Sequence, residues 1–156
     1  MKVGALIPAR KGSKGIPNKN FKEFCGKPLW QWTEEAAEES GIFDRIIFST
    51  DAPEPKWEKM RMKGGGDNDH AVWITDNSRP WNLCTDNASL DDVLKYYQED
   101  YPEIDLWCLL QPTSPLRTAE DIKNSYAMML EKESDNNDYK YDPPYRDWET
   151  DRKSVV

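Results

Sequence analysis

The sequence predicts an α/β fold with a mostly parallel sheet layered by helices, and three observations carry that prediction. Short, largely apolar runs recur at residues 3–7, 45–49 and 104–110, the form taken by strands buried on both faces. Stretches with helical spacing of apolar residues lie between and after them. Each apolar run also breaks into turn-forming or polar residues at its carboxyl end, the edge where sheets of this class place ligands. Strand and helix alternate along the chain, so right-handed crossovers onto one sheet are the economical topology.

Taken in order, Val3-Gly4-Ala5-Leu6-Ile7 reads as the first strand, ending at Pro8. Residues 10–20 have the glycine, serine, proline and asparagine content of an ordered turn. A first helix spans residues 28–40, with Leu29, Trp32, Ala36 and Ala37 on its apolar face and Gly41 as its stop. Residues 45–49 form a second strand running into Ser49-Thr50-Asp51. A short helix at 56–63 precedes Gly64-Gly65-Gly66, and residues 71–75 are the third strand. Ser89 caps a helix through the Ser89/Asp92 spacing, with Val93, Leu94 and Tyr97 on one face. The strand at 104–110 leads into Gln111-Pro112-Thr113-Ser114-Pro115-Leu116-Arg117. Thr118 then opens a helix bearing Ile122, Tyr126, Met129 and Leu130. Periodicity fails after about Ser134, and the sequence contains no internal repeat.

A length of 156 residues fits one domain with a single core. No apolar stretch approaches the length that spans a bilayer, and the N-terminus lacks the pattern of a secretory signal, so a cytoplasmic protein without membrane contact is expected. Cys25, Cys84 and Cys108 are odd in number and widely spaced, which suits reduced, packed thiols. The net charge of −8 argues against nucleic acid as a partner. Its distribution is uneven. Residues 1–27 hold seven basic side chains (Lys2, Arg10, Lys11, Lys14, Lys19, Lys22, Lys27) against one acid, Glu23, which leaves a balance of −14 on the remainder. Positive charge focused behind the first strand suits a small anionic ligand.

In IPARKGSKGIPNKN, Gly12 and Gly15 permit a backbone that converges N–H groups on an anion, while Arg10, Lys11, Lys14 and Lys19 neutralise it. A solvated basic loop is the competing reading of the same residues. Two familiar phosphate loops are excluded by spelling. Gly26-Lys27 is followed by Pro28 rather than Ser or Thr, and no G-x-G-x-x-G follows the first strand. His70, the sole histidine, has neighbours Asp67 and Asp69 but no ligand spacing, so it reads as a surface turn, and no metal site is assigned.

IPARKGSKGIPNKN, GKPLWQWT, DRIIFSTD, RPWNLCTDNASLDDVL and LLQPTSPLRTAEDI together resemble the acylneuraminate cytidylyltransferase family, the CMP-sialic acid synthetases and their relatives. The resemblance covers residues 1–133. It implies a Rossmann-like three-layer nucleotide-diphospho-sugar transferase fold, incomplete at the C-terminus, and transfer of CMP from CTP to an acidic nine-carbon sugar with release of pyrophosphate. It also implies a nucleotide site of Arg10, Ser13, Lys14, Gly15, Lys19, Asn20, Arg79 and Ser89. Within that site Arg10 and Lys19 are the catalytic cations, Arg79 lies near the cytosine, and Gln111 faces the sugar. Bland roles stay open beside these: a helix cap for Ser89, turn tolerance for Asn20, capping of the next segment for Asp51, a salt bridge or a ligand contact for Arg117, and simple solvation for Lys22 and Lys27.

The chain departs from the family at two places. The stretch between Asp51 and Arg79 is longer than usual. The ending also lacks the later elements that in the family supply a dimerisation segment and two aspartates for Mg²⁺. Asp142, Asp147 and Asp151 do not stand in for those aspartates. The expectation is therefore a nucleotidyltransferase domain at 1–133 and an irregular tail at 134–156, a truncated copy without the family's metal ligands, for which the homodimer that the resemblance implies stays open. An exposed core face or sheet edge is expected where the rest would dock. A non-catalytic nucleotide-binding fragment and a CMP-KDO synthetase-like enzyme are the alternatives.

Overall fold

A computed structural model describes residues 1–12, 15–52, 72–76, 79–85, 87–135 and 154–155. Strands are β1 (Val3–Pro8), β2 (Glu23–Phe24), β3 (Lys27–Pro28), β4 (Arg45–Ser49), β5 (Val72–Asp76), β6 (Leu106–Leu109) and β7 (Ser154–Val155); helices are α1 (Leu29–Ser40), α2 (Leu90–Asp100) and α3 (Ala119–Asp135). Five strands form one parallel sheet in the order β5-β4-β1-β6-β7. β1 is central, and all six of its residues are buried, as its unbroken apolar run requires.

The period of two along β1 sorts the core into layers. Val3, Ala5 and Ile7 pack with Trp30, Ala36 and Ala37 of α1 and Ile122 of α3 on one face. Leu6 meets Ile47, Ile104, Trp107 and the α2 residues Val93, Leu94 and Tyr97 on the other. Three layers result, with α1 and α3 packed together on one side and α2 opposite. Gly4, paired in register with Trp107, lets the indole lie close: an added Cβ would fall 2.9 Å from Ile104 Cγ2 and 3.3 Å from two indole ring carbons.

Several sequence expectations shift in detail. α1 buries Trp30, Thr33, Ala36, Ala37 and Ser40, so its inward face is rotated from the Leu29/Trp32 stripe. Trp32 instead faces a hairpin missed in the sequence, β2–β3. Its indole N–H donates to the Phe24 carbonyl at 2.9 Å, and the Lys27 ammonium sits 3.6 Å from the ring centroid while also pairing with Glu35. Lys27 is therefore engaged, whereas Lys22 is exposed. The hairpin turns on Cys25 (φ 50°) and Gly26 (φ 89°), both left-handed as a two-residue turn of this hand demands. Cys25 is exposed there, not packed. Gly41 ends α1 at φ 63°, as its sequence position predicts.

α3 runs through Asp135, and Ser154–Val155 pair with β6, so these two residues take strand backbone where an irregular tail was expected. The predicted helix at 56–63 and His70 lie outside the described residues. Among the described residues, the most exposed large apolar side chains are Trp81 (81%) and Leu116 (82%), and no helix is long and apolar enough to cross a membrane.

Candidate functional site

The chain leaves β1 for β4 and β5 on one side, then crosses to β6 on the other, so the topological switch lies beside β1 at the carboxyl edge of the sheet. An open cleft of about 250 Å³ occupies this edge. Arg10, Lys19 and Asn20 reach it from the loop after β1, Arg79, Leu83 and Thr85 from the segment before α2, Ser89, Leu90 and Val93 from the start of α2, and Gln111, Pro112 and Thr113 from the turn after β6. Six residues singled out in the sequence therefore meet: Arg10, Lys19, Asn20, Arg79, Ser89 and Gln111. Gly15 is exposed and outside the lining, and Ser13 and Lys14 lie outside the described residues.

The loop after β1 is held at three successive residues. The Ala9 N–H donates to the Ser49 carbonyl at 2.8 Å, the Arg10 carbonyl accepts from Asn20 Nδ2 at 3.0 Å, and the Lys11 N–H donates to Asp51 Oδ1. Asn20 is buried and serves as this tie, while the left-handed turn falls to Asn18 at φ 53°. Neither Gly12 nor Gly15 has a positive φ, and a Cβ at either would meet nothing within 4 Å. The geometric demand for glycine argued from the sequence is thus not made by the protein's own backbone at these two positions. Asp51 engages the β1 loop, an attachment the sequence reading did not anticipate.

Arg79 is the buried cation of the cleft, 7% exposed. Its Nη2 donates to the Ser49 carbonyl at 3.2 Å, and its Nε is buried with no hydrogen-bond partner among the described residues. Tyr97 of α2, fully buried, donates its hydroxyl to Ser49 Oγ at 2.7 Å, so the end of β4 is fixed from both directions. The sequence places Ser49 at the end of the second strand and Tyr97 on the apolar face of α2, but not their bond, because a buried hydroxyl pair across 48 residues leaves no local signal.

Ser89 caps α2 in a capping box: Oγ accepts from the Asp92 N–H at 3.0 Å, and the Asp92 carboxylate accepts from both the Ser89 N–H and Oγ. Those bonds hold the Asp92 carboxyl below its ordinary range, the Ser89 hydroxyl contributing most. With Asp91 and Asp92 in the first turn, the positive end of the α2 dipole is already offset.

Arg117 lies outside the cleft lining. Its Nη1 is buried without a hydrogen-bond partner among the described residues, and burial lowers its guanidinium pKa against the opposing influence of Cys108 and Asp121. Burial likewise pushes the Cys108 thiol up to about 11, partly countered by Arg117, so this cysteine is a packed thiol. Among the described residues no three His, Cys, Asp or Glu side chains converge, and the cleft lining contains no carboxylate. The described donor set does not fit the Mg²⁺ that the resemblance implies.

A central parallel sheet, a switch-point cleft and clustered cations define an α/β protein with a basic cleft at the carboxyl edge of its sheet. The sequence profile of the Cytidylyltransferase family matches residues 4–156, and the chain belongs to that family. It is 38% identical over 138 residues to an N-acylneuraminate cytidylyltransferase of Streptococcus agalactiae serotype III, covering 87% of this chain and 31% of the relative. It is 33% identical over 134 residues to a pseudaminic acid cytidylyltransferase of Campylobacter jejuni, covering 86% and 56%. A solved CMP:2-keto-3-deoxy-manno-octonic acid synthetase complexed with CTP superposes with a TM-score of 0.60 at 25% identity, over 86% of this chain and 49% of that one. The chain thus spans about a third to a little over half of the length of these relatives.

Proposed function

We propose that the cleft binds CTP and that the chain carries the nucleotide half of a cytidylyltransferase passing CMP to a nonulosonic acid. The observation that carries this reading is the convergence of Arg10, Lys19, Asn20, Arg79, Ser89 and Gln111, from four separate segments, on one cleft at the switch point. Arg10 and Lys19 neutralise the phosphate oxygens, Arg as a fork and Lys as a point charge. Arg79 offers its unpaired Nε to an acceptor on the base, and Gln111, on the β6 side, orients the acidic sugar.

In the reaction the anomeric hydroxyl oxygen of the sugar attacks the α-phosphorus. A new P–O bond forms, the bridging P–O bond to the β-phosphate breaks, pyrophosphate departs with its electron pair, and the hydroxyl proton passes to solvent. Positioning and charge stabilisation supply the acceleration, with no covalent enzyme intermediate. The two sequence relatives, named for N-acylneuraminate and pseudaminic acid, favour a nonulosonic acceptor over 2-keto-3-deoxy-octonate.

The test is to incubate the chain with CTP, Mg²⁺ and sialic, pseudaminic or 2-keto-3-deoxy-octonic acid, following pyrophosphate and the CMP-sugar. Product with a nonulosonic acid supports the reading. CTP binding without turnover supports the nucleotide-binding module. Absence of CTP binding overturns both.

A further inference from the structure

We infer that Asp51 is a positioning residue, a clasp that fixes the main chain beneath Arg10 and so sets where that guanidinium enters the cleft; the functional consequence rests on the proposed CTP site. Asp51 stands two residues beyond β4, half-buried, where its Oδ1 accepts the Lys11 N–H across 40 residues of sequence. A turn in which the Ala52 N–H donates to Thr50 Oγ1 at 3.1 Å shapes the backbone on either side of it. Together with the Ala9 and Asn20 bonds, this clasp ties a backbone group on each of Ala9, Arg10 and Lys11.

On charge alone the arrangement is counter-productive. A carboxylate beside the cations of an anion site weakens the field on the ligand, and it occupies an amide that would otherwise be available to a phosphate. Its value must therefore be geometric. Removing one backbone tie frees φ and ψ of a residue adjacent to a cleft-lining arginine, and ordering that residue again on binding costs affinity.

The geometric role separates from the charge by substitution. Asp51→Asn retains an acceptor oxygen and loses the charge, whereas Asp51→Ala loses both. Amide hydrogen exchange at Lys11, followed by NMR in the full chain, should show protection in the wild type and in Asp51→Asn, and its loss in Asp51→Ala. Titration with CTP should show Asp51→Asn binding at least as tightly as wild type, and Asp51→Ala weaker by about tenfold, the scale of a hydrogen bond to a charged group. An unprotected Lys11 amide in the wild type, equal behaviour of Asp51→Ala and wild type, or Asp51→Asn as weak as Asp51→Ala would each overturn the clasp. If wild type bound no CTP, the nucleotide reading would fall, while the exchange measurement would still decide for or against the clasp.

Discussion

Replacing Arg79 by methionine separates the fold from the site. Methionine keeps much of the buried stem and removes the guanidinium, so the loss to the empty protein is the 3.2 Å bond to the Ser49 carbonyl. That bond is worth about 1.5–3 kcal/mol, as one made by a charged donor. Against this stands the relief of a buried Nε that has no partner among the described residues, a group whose burial costs about 1–3 kcal/mol. The two terms nearly cancel, and Arg79→Met should unfold in urea within about 1 kcal/mol of wild type. A bound nucleotide changes the balance, because an acceptor on the ligand turns the unpaired Nε from a burden into a charged hydrogen bond. Affinity for CTP should then fall by about 1.5–3 kcal/mol, roughly ten- to 150-fold. Urea titration and calorimetry on the same samples measure both quantities. A variant destabilised by far more than about 1 kcal/mol yet binding CTP normally would show that Arg79 is a core strut and that the reasoning about its Nε is wrong.

Three further outcomes follow from the same structure. Lys19→Ala should weaken CTP binding by roughly 1.5–3 kcal/mol by calorimetry, and an unchanged affinity would take Lys19 out of the site. Gly4→Ala should destabilise by about 1–3 kcal/mol, since the new methyl meets the buried Ile104 and Trp107 side chains; Ile104→Ala should recover part of that cost in a double-mutant cycle, whereas strict additivity would contradict the packing. The Asp92 and Asp121 carboxyls are held low by Ser89 and Thr118, so their capping stabilisation is present above the unfolded carboxylate value near pH 4 and is lost as pH falls through the lower folded value. Asp92→Asn should flatten the acid limb of the Tm-against-pH curve, and an unaltered limb would exclude the α2 capping box as a source of it.

Strands β1, β4 and β6 were legible because burial on both faces forces apolar runs, and α2 because its capping box is a local pattern of hydroxyl and carboxylate. The hairpin was not. Its turn is Cys25-Gly26, and a cysteine at positive φ carries none of the asparagine or glycine signal by which such turns are recognised. The face of α1 was misjudged because Trp30 and Trp32 are both aromatic and two residues apart, so periodicity alone could not say which enters the core. The structure answers through Trp30 packing against Phe48 and Trp32 bonding to the hairpin. In the cleft, the lining residues were readable from short blocks of sequence, whereas the bonds of Ser49, Tyr97 and Asp51 join distant segments and could emerge only once the sheet had brought them together.

The carboxyl end of β4 links these observations. Ser49 offers its carbonyl to the Ala9 N–H and to Arg79, its hydroxyl accepts from Tyr97, and Asp51 two residues on takes the Lys11 N–H. One strand end thus holds the β1 loop that presents Arg10, holds Arg79, and is itself held by α2. Arg79, the buried cation of the cleft, is held by a main-chain carbonyl, a group that positions a guanidinium without neutralising it, as a direct carboxylate partner would. The Arg79 guanidinium is thereby positioned by a carbonyl, and Asp51 engages a main-chain amide, so both contacts fix the cleft wall through the backbone.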